Sequence, residues 1–204
     1  KLKKYIGTQL HVHGLKSPHQ TEIYKKGFQF YTDNSIETFN ILSQVYHTSP
    51  SFEGKILVFI FLDKKHLLIP KKEQLKILPK YVKAVDNWAI SDSLSKFLNK
   101  LVLDKDTQKD MLTILKEWNT SINPWERRQS LISLFYYSRT SSHHVSFALT
   151  KKLVMNLISD TDYYVQKAVG WTLREAYNVY PKDTYNLIEA HCDKITSIAF
   201  TTCI

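Results

Sequence analysis

Apolar residues recur three and four positions apart along almost the whole chain, the spacing of one buried face of an α-helix. The pattern breaks only at short polar or proline-containing connections. With 5 Gly and 6 Pro in 204 residues, the chain lacks the tight turns that a β-sandwich or barrel requires. The period predicts helices over 18–31, 35–47, 52–62, 71–83, 86–102, 107–119, 124–138, 147–159, 162–179 and 183–190, and a last one near 195–204. Ser17-Pro18 and Asn123-Pro124 each place a cap residue before a proline at the first helical position, and Asp160-Thr161-Asp162 is a cap cluster.

Ten or eleven short helices on short links predict an all-α fold of stacked antiparallel helix pairs, a curved α-solenoid of HEAT or armadillo type. A compact helical bundle is the alternative, since no repeat of fixed period is visible. No Gly/Ser linker divides the chain, so residues 1–204 read as one domain.

A formal charge of +9 with 12 Tyr and 4 Trp suits a polyanion, nucleic acid ahead of an anionic membrane surface, although charge alone also serves solubility. No apolar run reaches the ~18 residues of a membrane span; the longest is Ile56 to Leu62. Cys192 and Cys203 make neither a disulfide framework nor a zinc motif, which fits a reduced, intracellular setting. Lys1-Leu2-Lys3-Lys4 is followed by no apolar signal region, and the absence of an initial Met points to residues upstream.

Three helices carry large aromatic residues on polar faces. In 162–178, Val165, Ala168, Val169, Thr172 and Ala176 form the buried stripe; Trp171 lies off it, between Lys167 and Arg174. Trp171 either meets a ligand or packs on a neighbouring helix pair with the cations extending past it. In 86–102, Val85, Ala89, Phe97, Leu98 and Leu101 are read as inward-facing, while Trp88 stands one turn from Asp92. A plain Asp92–Lys96 surface pair would account for the carboxylate but not for the neighbouring indole. In 124–138, Arg127 and Arg128 sit where the helix dipole prefers anions. They gain a role there by meeting a phosphate, or are satisfied by Glu126 and solvent. His143-His144 point apart and belong in a loop, and His11 and His13 share one side of an extended segment without a third ligand, so no metal site is expected.

These places resemble, in order, the DNA alkylation repair family of AlkD-like glycosylases. Asp86-Asn87-Trp88-Ala89-Ile90-Ser91-Asp92 resembles the family's Trp-x-x-x-Asp helix. Asn123-Pro124-Trp125-Glu126-Arg127-Arg128 resembles its Asn-x-Trp-x-x-Arg helix start. The most specific string, Gln166-Lys167-Ala168-Val169-Gly170-Trp171-Thr172-Leu173-Arg174-Glu175, resembles its Gln-Lys-Ala-x-Gly-Trp-x-Leu-Arg-Glu signature. Lys4-Tyr5-Ile6 and Gly14-Leu15-Lys16-Ser17-Pro18 resemble its Tyr-bearing first helix and following turn. The likeness covers about residues 1–190, weakly over 35–80. Thr196-Ser197-Ile198-Ala199 replaces a basic stretch common in the family, and the resemblance starts at the Tyr-bearing helix, so the family's most N-terminal helix is expected to be lacking from this sequence.

The resemblance implies HEAT-like repeats with a positive, concave face for double-stranded DNA. It implies a monomeric, monofunctional glycosylase that excises N3- and N7-alkylpurines without flipping the base, needs no cofactor, and works in a bacterial-type cytoplasm on the nucleoid. By position, Trp88, Asp92 and Trp171 would form the catalytic cleft. Tyr5, Arg128, Lys167 and Arg174 would bind DNA. An alkylated purine is already a good leaving group, so the barrier lies in the positive charge that develops on the sugar. A carboxylate aimed there stabilises it or positions the water, and indole faces attract the same cation. A catalytically silent DNA-binding relative and a HEAT-type protein scaffold are the alternatives.

Overall fold

The computed structural model describes residues 1–31 and 34–204. Among them the regular structure is helical, with one isolated backbone bridge, His11 to Ser51. The helices are α1 (Leu2–Ile6), α2 (Ser17–Lys26), α3 (Ser35–Thr48), α4 (Phe52–Lys65), α5 (Lys71–Ile77) and α6 (Trp88–Val102). They continue with α7 (Gln108–Trp118), α8 (Pro124–Ile132), α9 (Phe147–Leu157), α10 (Tyr163–Val179), α11 (Pro181–Ala190) and α12 (Ser197–Cys203). Contacts divide the chain into two compact units, Lys1–Leu94 and Ser95–Ile204, and the division falls inside α6.

In the first unit α3 and α4 lie side by side. Phe39, Leu42, Val58 and Leu62 are buried among them. This core also holds polar aromatics. The Tyr46 and Tyr81 rings stack at 4.1 Å, and Tyr46 OH donates to the Tyr81 carbonyl at 3.0 Å. Tyr81 OH meets Ser43 Oγ at 2.6 Å, so neither phenol is buried unsatisfied. Lys55, also buried, donates from Nζ to the Tyr46 carbonyl at 2.6 Å and so takes up an acceptor in the last turn of α3. Burial pushes its ammonium below the ordinary lysine range.

The N-terminal segment is tied to this unit by two carboxylates. Glu53, in the first turn of α4, accepts from the backbone N–H of His13 at 3.1 Å, Gly14 at 2.8 Å and Leu15 at 3.3 Å. Burial by itself would raise the Glu53 carboxyl. The backbone hydrogen bonds from His13, from Glu53 itself, from Gly14 and from Leu15 outweigh it and hold the group below its usual value. The second carboxylate, Asp86, belongs to the candidate site.

In the second unit α10 packs against α8, α9, α11 and α12. Val165, Ala168, Val169, Thr172 and Ala176 are all buried, as the apolar stripe predicts. Gly170 sets the approach of α12: a Cβ there would lie 2.1 Å from the Ala199 carbonyl oxygen and 2.8 Å from Thr202 Cβ. Gln166 joins three segments. Its amide donates to the carbonyls of Leu157 (3.0 Å) and Asp160 (2.8 Å), and its oxygen accepts from Thr196 Oγ1 at 2.7 Å.

Helix ends differ from the sequence expectation at specific places. The helix expected over 18–31 stops at Lys26, where Gly27 takes φ 77°. Its N-cap is Lys16 and not Ser17. Pro79, lacking an N–H, ends regular α-helix after Ile77, and Leu78–Ala84 continues as a 3-10 segment. The helix expected over 124–138 ends at Ile132, because the Asn99 amide takes the Ser133 and Leu134 carbonyls at 3.1 and 3.0 Å. On α6 the buried face is Ile90, Leu94, Phe97, Leu98 and Leu101; Ala89, expected to point inward, is half-exposed. His143 and His144 do lie in a loop, and the His11 and His13 rings meet at 4.4 Å.

Two substitutions test these ties. Gly170→Ala forces α10 and α12 apart and should cost about 1–3 kcal/mol by thermal or urea unfolding. Glu53→Gln should cost about 1.5–3 kcal/mol at neutral pH, the worth of hydrogen bonds to a charged acceptor. Because the folded-state value of Glu53 is lowered, its contribution is present above the unfolded value of 4.5 and lost as pH falls below it. The stability gap between wild type and Glu53→Gln should therefore close in acid.

Candidate active site

In the first unit the Trp88–Asp92 helix is started by a relay of side chains. Asp86 Oδ2 accepts from Thr8 Oγ1 at 2.5 Å and from the Gln9 N–H at 3.0 Å. Its other oxygen accepts from Asn87 Nδ2 at 2.7 Å. Asn87 is fully buried, and its oxygen caps α6 by accepting from the Ile90 N–H at 3.0 Å. One relay thus fixes both the end of the Tyr5 segment and the start of the Trp88 helix. As a result Tyr5 and Trp88 meet edge to face, ring centres 5.5 Å apart, and Trp88 Nε1 donates to the Tyr5 carbonyl at 3.3 Å. Tyr5 remains 71% exposed. Asp92 follows one turn after Trp88 on the same face of α6, and both side chains are half-exposed.

In the second unit the signature string separates into two sets. Gln166, Gly170 and Glu175 point inward and hold the fold. Glu175 is buried, and its Oε2 accepts from the Ser138 N–H at 2.8 Å and Ser138 Oγ at 2.7 Å. Lys167, Trp171 and Arg174 are half-exposed and share one face of α10 with Tyr164 and Asn178. Lys167 Nζ lies 5.8 Å from the centre of the Tyr163 ring. Arg174 is oriented by its contact with the Thr202 carbonyl at 3.4 Å and by Glu175 at 3.8 Å. Trp171 therefore stands between two cations on an accessible face.

The two arginines of α8 have separate tasks. Arg127 Nε and Nη2 grip Asp160 at 2.6 and 3.2 Å, and Nη1 donates to the Ser121 and Ile122 carbonyls, both at 2.9 Å. Neither a phosphate nor Glu126 is needed to explain it; Glu126 accepts from Ser121 Oγ instead. Arg128 is 7% exposed and donates to the Tyr164 carbonyl at 2.8 Å. It supports the start of α10, where Trp125 stacks on Tyr164 at 5.0 Å. Sequence spacing missed Asp160 as the partner of Arg127, and Asp86 as the organiser of the first unit. A polar residue within two or three positions of a helix start, as both are, was the available signal.

Among the described residues no group of three or more His, Cys, Asp or Glu side chains is placed to hold a metal ion, and no helix is long and apolar enough to cross a membrane. The cations divide by burial. Arg127→Met strands the Asp160 carboxylate and should destabilise the fold by about 3 kcal/mol in denaturant unfolding. Lys167→Ala should stay within about 0.5 kcal/mol of wild type in the same measurement.

The fold is similar to that of known proteins. In solved structures the fold is similar to one described as a predicted DNA alkylation repair enzyme from Enterococcus faecalis, with 18% identity, TM-score 0.77, and 99% of this chain and 91% of that one covered. It is also similar to smu.31 from Streptococcus mutans UA159, with 18% identity, TM-score 0.60, and 91% and 90% covered. A third is AlkD2 from Streptococcus mutans, with 18% identity, TM-score 0.58, and 92% and 86% covered. These likenesses establish an all-α, HEAT-like fold of the AlkD type. No curated protein matches the sequence. The sequence profile described as DNA alkylation repair enzyme matches residues 1–203, and the chain belongs to that family.

Proposed function

We propose that the protein hydrolyses the N-glycosidic bond of cationic N3- and N7-alkylated purines in double-stranded DNA, leaving an abasic site. The observation that carries this reading is Asp92 one turn from Trp88, on a helix whose start is fixed by the Asp86–Asn87 relay. A positively charged purine departs without protonation, so no general acid is required of the enzyme. The demand is for negative charge near the deoxyribose as its oxocarbenium character grows, and the Asp92 carboxylate supplies it. The same group orients the attacking water.

Trp88 has its indole N–H occupied by the Tyr5 carbonyl, which fixes the ring plane. A π-face held in that way favours a cationic sugar and excludes water without reorganising. Trp171, on α10 of the second unit, offers an indole face to the DNA. Lys167 and Arg174, on either side of it along α10, contact phosphate; Arg128 acts by holding the Tyr164 backbone. Tyr5, largely exposed, packs against the DNA backbone beside Trp88. The enzyme works without base flipping, since it needs only the sugar to be reached.

Wild-type protein should release 7-methylguanine or 3-methyladenine from methylated duplex DNA, and Asp92→Asn should lower kcat by roughly a hundredfold or more, the scale for losing one electrostatic group aimed at the transition state. Release by neither protein, or equal release by both, rejects the proposal. Lys167→Ala should reduce the slope of log affinity against log salt by about one.

A further inference from the structure

One exposed aromatic is held in a conformation that its own side chain disfavours. Tyr137 has φ 48° and ψ 72°, and among the described residues it is the one non-glycine with positive φ. This left-handed region is uncommon for bulky residues and persists only where the surroundings enforce it. Here they do so from both sides. Upstream, Asn99 takes the Ser133 and Leu134 carbonyls. Downstream, the buried Glu175 carboxylate receives both the N–H and the hydroxyl of Ser138, and the Thr140 N–H and Oγ1 each donate to the Tyr137 carbonyl at 2.8 Å. The turn seats the buried Ser138 on Glu175 and leaves the Tyr137 side chain outside the core. The Tyr137 side chain is 56% exposed and touches Tyr136 edge to face at 4.8 Å.

The same turn carries Arg139, whose Nε and Nη2 donate to Asn178 Oδ1 at 3.2 and 2.9 Å. Asn178 is a neutral amide, so the guanidinium is oriented while keeping its full charge. Asn178 closes the accessible face of α10 formed with Tyr164, Lys167, Trp171 and Arg174. Seven residues separate Trp171 from Asn178, about 10.5 Å along a helix. That length equals the rise of about three base pairs of duplex. An exposed aromatic on a constrained backbone and an oriented cation, beside the end of a cationic helix face, fit a sugar-phosphate backbone.

We infer that Tyr137 and Arg139 are DNA-positioning residues that hold the duplex about three base pairs to one side of the nucleotide engaged by Trp171, with the constrained turn fixing where they project. The inference rests on the glycosylase reading only for the nucleotide that Trp171 engages.

The test uses the full chain and duplexes carrying one 7-methylguanine, with ten base pairs on each side or with either side cut to two. Tyr137→Gly and Tyr137→Asn both admit positive φ, so each should raise the Tm or leave it unchanged. On the long duplex both should bind about tenfold more weakly by fluorescence anisotropy, the scale of one lost anchoring contact. KM should rise in step, with kcat nearly unchanged. On the duplex shortened on one particular side, wild type should fall to the level of the variants, whereas shortening the other side should preserve the gap. Arg139→Ala should reduce the salt slope by about one. Variants that bind the long duplex as wild type does, or a gap indifferent to which side is shortened, overturn the inference. Wild type that binds with this one-sided dependence but releases no base would reject the glycosylase reading and leave the anchor established.

Discussion

The geometry of the first unit depends on the carboxylate of Asp86. It collects a hydroxyl from Thr8, a backbone N–H from Gln9 and an amide from Asn87, and Asn87 in turn caps α6. Each hydrogen bond to a charged acceptor is worth roughly 1.5–3 kcal/mol, well above an ordinary surface ion pair. The group joins two parts of the chain that share no local pattern, and it decides where Trp88 begins its helix and where Tyr5 ends up. Asp92 acquires its place from the same anchor, because a helix started one residue later would turn that carboxylate by a large angle.

The second unit solves its own problem differently. Its central helix, α10, is surrounded by four others. It therefore has one narrow face left for anything besides packing. The signature string reflects that economy: residues that join segments alternate with residues that face outward. Gly170 has no side chain because α12 occupies the space, and Gln166 spends both ends of its amide on neighbouring loops. Much of what makes the string recognisable is thus structural, and the accessible remainder is Lys167, Trp171 and Arg174.

The helices were largely legible because burying one face of a helix imposes a 3.6-residue period on the sequence itself. The apolar stripe of α10 needed no other information. Ends were less legible where tertiary contacts decide them. The end of α8 depends on Asn99, more than thirty positions away, and Gly27 and Pro79 act through backbone geometry that an apolar pattern does not register. In the candidate site, Asp92 beside Trp88 and Trp171 between two cations were visible as neighbours one turn apart. The partners of Arg127, Glu53 and Asp86 were not, since a carboxylate that binds distant backbone or a distant guanidinium leaves no spacing to read. Helical position alone did not separate the paired arginines; burial and partners do.

The contact between Tyr5 and Trp88 spans 83 positions. During synthesis the chain emerges from its N-terminus, so Tyr5, Thr8 and Gln9 are outside the ribosome long before Asp86 exists to receive them. Glu53 becomes available earlier and takes the backbone of residues 13–15 first. The segment is thereby tethered near its final course, which shortens the loop that must still be closed and reduces its entropic cost. The nascent protein can gather its N-terminal arm in two steps, and the arrangement around Trp88 is complete only once the start of α6 has been made.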